Sequence, residues 1–385
     1  MRKLLGVLLI TAMAAVTMVG CSSNSSDGDK TTGTEANGTE AGSEVTDGLK
    51  IAIVSSPSGV DDGSFNENNY NGVLKFIESH PNATVTPVKE ETGDTAAAVQ
   101  AVADIVADYD VIVACGFQFA GITDIAKDNP ETDFILVDSF PANDEVIDNV
   151  YAMTFAEQES GFYAGMAAAL ESKTKKVAVV NGVAYPSNVN YQYGFESGVN
   201  YANKKFNTGV EVVELPSYAG TDVTGANVGG NYVGSFADEA TGKVVGKTLI
   251  AEGVDILFVA AGGSGNGVFT AAKEAGVKVI GCDVDQYNDG VNGDSNIILT
   301  SVLKVMDKNV EKQLTAIVDG TFVGKNELLK ADTDSTGYVK EDGRHQLSTD
   351  TITKIDEAYQ LVKTGTIVPA ANFNDITSDN FPGLE

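Results

Sequence analysis

Short apolar runs alternate with amphipathic segments along most of the chain. Runs at residues 49–55, 84–89, 111–115, 134–137 and 150–155 have the length and apolar character of buried strands. Segments at 64–79, 95–108 and 122–128 between them carry helical spacing, and a long helix is predicted over 157–170. A second series follows, with strand 176–181, helix 190–205, strand 210–215, an extended segment at 232–236 and helix 238–251. Residues 255–286 then read as one βαβ unit: apolar segment 256–261, glycine loop 262–267, helix 268–276, a second apolar segment and an acidic loop. Strand 297–302 and helix 304–319 read as a return crossing to the first series. Residues 322–344 look irregular, and helix 351–362 is expected to pack on the second series. Alternation of this kind implies parallel sheets covered by helices on both faces. Two such series predict two doubly wound α/β lobes, joined near residues 154–156.

Composition supports two lobes and narrows the partners. The 385 residues exceed a comfortable single domain. A net charge of −29 argues against nucleic acid as a partner, because binding phosphates needs clustered Lys and Arg. Three cysteines are too few for a disulfide framework. Cys115 and Cys282 end strand-like runs and read as buried thiols, whereas Cys21 follows a different signal. Arg2 and Lys3 precede an apolar run, residues 4–19, that ends at Gly20-Cys21. That layout is a signal peptide over residues 1–20, and Gly-Cys resembles a bacterial lipobox with Cys21 as the lipidated residue. Residues 21–48 are Ser-, Thr-, Gly- and acid-rich and read as a tether. The expected location is therefore the outer face of the cell membrane, held by lipid.

Candidate chemistry collects at strand ends, where ligands bind in doubly wound sheets. Asp61, Asp62, Ser64 and Asn66 follow the first strand; Ser64 and Glu67 form an S-x-x-E capping box. Asn66 has no structural reason to occupy a first helical turn and can read a base edge. Tyr70 lies four residues on and could stack on a flat ligand. Phe117 and Asp138 follow the third and fourth strands, and Phe236 precedes a helix capped by Asp238. Gly262, Gly263 and Gly265 allow close backbone approach, and Asp283 lies about 20 residues beyond Gly263, a ribose-acid spacing. Asp285 is an alternative to Asp283. Lys304 lies where the chain crosses between lobes, and a lysine there needs a partner. The glycines lack the third position of a dinucleotide fingerprint, so no cofactor is expected. Asp285 to Gly290 half matches a calcium loop, but Tyr287 and Asn296 stand at ligand positions. His80 and His345 have no metal partners at suitable spacing, and neither a nucleophile elbow nor a Walker loop is present. No metal site and no enzymatic activity are expected.

Six motifs in order resemble the basic membrane protein family, the purine-nucleoside-binding lipoproteins of ABC importers. They are Val60-Asp61-Asp62-Gly63-Ser64-Phe65-Asn66, Phe155 with Glu159-Ser160-Gly161-Phe162-Tyr163-Ala164-Gly165, Gly234-Ser235-Phe236-Ala237-Asp238, Ala261-Gly262-Gly263-Ser264-Gly265-Asn266-Gly267, Gly281-Cys282-Asp283-Val284-Asp285-Gln286, and Leu299-Thr300-Ser301-Val302-Leu303-Lys304. The resemblance implies a type I periplasmic-binding-protein fold whose two lobes close on ligand. Its N-terminal lobe would comprise residues 49–155 with 305–324, and its C-terminal lobe residues 156–304 with 325–385. It also implies that Asn66 and Asp138 recognise a base, that Tyr70 and Phe236 stack on it, and that Asp283 or Asp285, the Gly262–Gly265 loop and Lys304 hold a ribose. Asp62 and Phe117 complete the expected ligand-binding set, with Asn190 and Tyr191 as further candidates in the second lobe. The implied partners are a purine nucleoside and an ABC permease, with the chain itself a monomer. The same fold binding a sugar or a signalling molecule, as a sensor, is the alternative.

Overall fold

The computed structural model describes residues 48–385. The expected signal segment, Cys21 and nearly all of the tether lie outside the described residues. The first lobe runs β1 (Lys50–Ser55), α1 (Phe65–Ser79), β2 (Thr84–Lys89), α2 (Thr95–Ala103), β3 (Val111–Cys115), α3 (Thr123–Asp128), β4 (Asp133–Val137) and β5 (Val150–Phe155). The second runs α4 (Glu157–Glu171), β6 (Lys176–Asn181), α5 (Pro186–Phe206), β7 (Glu211–Val212), the hairpin β8 (Gly220–Thr221) and β9 (Asn227–Gly229), α6 (Glu239–Ala251), β10 (Ile256–Ala260), α7 (Ser264–Ala275), β11 (Lys278–Gly281), the hairpin β12 (Val291–Asn292) and β13 (Ser295–Asn296), and β14 (Ile298–Lys304). Then come α8 (Met306–Val318), β15 (Lys325–Leu329), β16 (Thr336–Tyr338) and α9 (Thr349–Lys363).

Two six-stranded sheets result, ordered β15-β5-β4-β3-β1-β2 and β16-β14-β11-β10-β6-β7. The first is parallel throughout, and in the second only β16 runs antiparallel, against β14. Both faces of each sheet are covered, which is why the strands read as continuous apolar runs. In β1, Ile51 and Ile53 pack toward α1 and α8, while Ala52 and Val54 join the opposite cluster with α2 residues Ala98 and Val102. In β10, Ile256 and Phe258 face α4 and α5, and Leu257 and Val259 face α6 and α7. The chain crosses between lobes after β5, after β14 and after β15.

Several expectations need correction. Residues 322–344 contain β15 and β16. Residues 325–385 were all expected with the second lobe, but β15 pairs in register with β5 and extends the first sheet. Polar Lys325, Asn326 and Glu327 alternate poorly with apolar residues, and this half-exposed edge strand has no readable pattern. Residues 232–236 make only a single bridge, Tyr232 to Asn181, and the strand expected at 210–215 shrinks to two residues. Helix α7 begins at Ser264, so Gly265 and Gly267 are helical. Their smallness serves packing: a Cβ on Gly267 would lie 1.9 Å from the Glu239 carbonyl oxygen of α6.

Helices α4 and α5 use the same device twice over. A Cβ at Gly161 or Gly165 would collide with the Tyr191 or Phe195 carbonyl oxygen at 2.5 or 2.0 Å. Reciprocally, Gly194 and Gly198 would meet Gln158 and Phe162 at 2.2 and 2.1 Å. This close crossing fixes where α5 carries Tyr191.

Candidate functional site

Strand ends of both lobes meet in a cleft lined from both sides. Such concave sites between lobes are where α/β proteins of this kind take small ligands. On the first-lobe wall, Asp62 caps α1. Its Oδ1 accepts from the Ser64 and Glu67 amides at 3.0 and 3.1 Å, and its Oδ2 from the Asn66 amide at 3.1 Å. The expected capping box is therefore replaced: Ser64 makes no cap, and Glu67 accepts from the Gly63 amide instead. Asn66 donates its side-chain amide to Ser56 Oγ at 2.9 Å and to Asp62 at 2.8 Å. Those two bonds point Asn66 Oδ1 away from the turn, buried and without a partner.

Asp138 follows β4 and Asp283 follows β11, strands that hold the same place in their two sheets. Both aspartates adopt left-handed backbone, φ 64° and 69°. Non-glycine residues in that region are strained by about 1–3 kcal/mol, a cost that tends to gather at binding sites. Asp138 Oδ2 lies 2.5 Å from the Lys304 ammonium, which also touches Glu157 at 3.0 Å. Asp138 Oδ1 is buried with no partner. The ammonium sits 5.1, 5.3 and 5.9 Å from the rings of Phe65, Phe155 and Tyr191. Burial works against the Lys304 charge, but Asp138, Glu157 and Asp283 outweigh it and raise its pKa. Lys304 is thus the paired cation that its position demanded. On the second-lobe wall, Asp283 accepts from the Tyr191 hydroxyl at 2.7 Å and from Ser64 Oγ at 3.4 Å.

Three aromatic rings form a side wall across the lobes. Phe117 lies 5.2 Å from Tyr185, and Tyr185 lies 6.0 Å from Phe236. Gly182 makes room for Phe236, since a Cβ there would lie 2.2 Å from the Phe236 ring.

Of the residues expected to bind ligand, Asp62, Asn66, Phe117, Asp138, Phe236, Gly262, Asp283 and Lys304 line this cleft. Four do not. Tyr70 packs against the first-lobe core, because α1 runs away from the cleft and one helical turn carries it off; Phe65 lines the cleft instead. Gly263 and Gly265 abut Phe236 and Val259. Asp285 is turned outward, accepting from the Tyr287 amide at 2.9 Å and pairing with Arg344 at 2.5 Å. Of the two further candidates, Tyr191 lines the cleft, whereas Asn190 bonds Glu157 and the Asn372 amide. Glu157, Tyr185, Asn188 and Gln118 were not singled out. A first-turn asparagine following Pro186 was the available signal for Asn188. Tyr185 meets Phe117 only when the lobes come together, and Glu157, at the head of α4, meets Asn190 and Lys304 of its own lobe through tertiary packing that spacing does not show. Among the described residues no group of three or more His, Cys, Asp or Glu is arranged to hold a metal, and no helix is long and apolar enough to cross a membrane.

The chain matches the Bmp family, described as "ABC transporter substrate-binding protein PnrA-like", over residues 49–218 and 218–371. It is 28% identical to the "ABC transporter nucleoside-binding protein BmpA" of Lactococcus lactis, covering 84% of this chain and 87% of that one. It is 27% identical to a "CD4+ T-cell-stimulating antigen" of Listeria innocua, covering 95% and 98%. The crystal structure of a solute-binding protein of an ABC transporter system from Aeropyrum pernix superposes with a TM-score of 0.71 at 22% identity, covering 85% and 94%. The fold is accordingly of the periplasmic-binding-protein type, and the chain belongs to the PnrA-like family of ABC transporter substrate-binding proteins.

Proposed function

We propose that the protein captures purine nucleosides between its lobes, outside the cytoplasm, and delivers them to an ABC permease, as a monomer anchored by lipid at Cys21. One observation carries the reading of the ligand. Asn66 Oδ1 and Asp138 Oδ1 are both buried acceptors without partners in one cleft that is also walled by aromatic rings. A buried acceptor left unpaired costs about 1–3 kcal/mol, so closure favours a flat ligand that brings hydrogen-bond donors on its edge. Purine bases meet that description. Stacking on the Phe236 side would add about 1–3 kcal/mol per base.

Asp283 supplies the complementary end. Its carboxylate already accepts from Tyr191 and Ser64, and a carboxylate has about four lone-pair sites, leaving capacity for sugar hydroxyls. Asp62, Asp138 and Asp283 line the cleft against one lining cation, Lys304, which favours an uncharged nucleoside over its phosphate esters. The name of the Lactococcus relative supports the same ligand class. Nothing in this arrangement requires a chemical step; binding and closure suffice.

Calorimetric titration of ligand-stripped protein with adenosine, guanosine, inosine, uridine and ribose tests the proposal. Heat with the purine nucleosides and none with ribose is expected. No heat with any nucleoside would sink it. Binding of ribose or a hexose without a purine preference would establish the sugar reading.

A further inference from the structure

Gln286 ends the motif Gly281-Cys282-Asp283-Val284-Asp285-Gln286, does not line the cleft, and is nevertheless buried. Its side chain is used at both ends. Oε1 accepts from the Cys282 amide at 3.0 Å, closing the turn that carries Asp283. Nε2 donates at 3.1 Å to the carbonyl oxygen of Gly63, which belongs to the other lobe. The Gln286 amide is itself held by Ser301 Oγ at 3.1 Å. Glycine at 281 leaves the space, because a Cβ there would lie 3.0 Å from Gln286 Oε1.

The turn that Gln286 reaches is equally stiff. Asp62 accepts from the amides on the far side of Gly63, and Glu67 accepts from the Gly63 amide. Gly63 itself has φ +71°, a left-handed backbone that glycine adopts without strain. Two internally bonded turns therefore meet edge to edge, joined by Gln286 on one side and by Ser64 on the other, where Ser64 Oγ reaches Asp283 at 3.4 Å. Opening the lobes must break these bonds; ligand contacts are not involved in the Gln286 bond at all.

We propose that Gln286 is the closure latch of this protein: a positioning residue that shapes the Asp283 turn and locks it to the Asp62–Gly63 turn only when the lobes are closed. The proposal rests on the reading of the cleft as a closing ligand site and adds to it a residue that sets how long a ligand stays. Release requires opening, so a weaker latch speeds dissociation. Capture uses the open form and is left alone.

Gln286→Glu separates the two jobs. The carboxylate keeps an oxygen to accept from Cys282, and it turns the donor facing the Gly63 carbonyl into a repelling oxygen. Asp289 Oδ2, 3.4 Å from Gln286 Nε2, would also repel it, and a thermal melt reads that local cost separately. Stopped-flow measurement with guanosine or adenosine at pH 8 should give a dissociation rate raised roughly threefold to tenfold, the worth of one neutral hydrogen bond, with association within about twofold of the parent. A dissociation rate within about twofold of the parent overturns the latch, as does a loss confined to association. If the parent protein itself binds no nucleoside, the ligand reading fails separately. The latch is then judged on small-angle scattering of ligand-stripped protein: a larger radius of gyration in Gln286→Glu supports it, and an unchanged one overturns it.

Discussion

Asp283 and Asp285 are two residues apart and have opposite surroundings. The left-handed backbone at Asp283 turns the chain so that its carboxylate faces Tyr191 and the cleft, while Asp285 is spent on Arg344. No pattern in the sequence distinguishes two acids flanking a valine; the dihedral angle does. Asp283→Ala should weaken nucleoside binding by about 2 kcal/mol, roughly thirtyfold, the loss of hydrogen bonds to a charged acceptor. Asp285→Ala should leave the dissociation constant within about threefold, and calorimetry on both variants makes the comparison. Glu196, remote from the cleft, gives a test of the electrostatics. Burial, reinforced by Glu214 and opposed by bonds from Gln192 and Ser378, pushes its pKa up to about 7. A carboxyl raised above its unfolded value contributes stability at low pH and loses it as pH rises through the folded pKa. Glu196→Gln should therefore raise the melting temperature at pH 8 and change it little at pH 4.5, where the native residue is already protonated.

The elements divide by how local their causes are. Strands buried on both faces announce themselves as apolar runs, and the rule that ligands gather at strand ends brings Asn66, Asp138, Phe236, Asp283 and Lys304 to one cleft. The direction in which a helix leaves that cleft is not written in spacing, and so Phe65 lines it where Tyr70 was expected. The glycines of residues 262–267 looked like a ligand cradle because close approach to a ligand and close approach to a helix ask for the same residue. Only Gly262 is at the cleft; Gly265 and Gly267 serve packing. The α4–α5 crossing makes the same point with a measurable consequence. Gly165→Ala puts a methyl 2.0 Å from the Phe195 carbonyl oxygen, and the helices must part. Overpacking of this kind costs about 1–3 kcal/mol, to be read by denaturant unfolding. Because α5 carries Tyr191, which orients Asp283, nucleoside affinity should fall as well.

At the scale of the whole molecule, the two sheets share one strand order, and each lobe offers one strained aspartate from the same position in it. The two-lobed plan was legible because alternating strands and helices leave few topologies open. The third crossing, through β15, was not, since an edge strand with polar residues lacks the buried pattern. Contacts between lobes were also beyond the sequence: Lys304 of the second lobe, already paired with Glu157 beside it, takes Asp138 from the first. The cleft so formed is acidic and aromatic and holds two buried acceptors without partners, Asn66 Oδ1 and Asp138 Oδ1. The most direct test is to incubate ligand-stripped protein with an equimolar mixture of purine and pyrimidine nucleosides, their monophosphates, ribose and hexoses, remove the excess, and identify the retained molecules by mass spectrometry. Purine nucleosides should be retained, and neither the monophosphates nor the free sugars; retention of a sugar or a nucleotide in their place would overturn the assignment of the cleft to purine nucleosides.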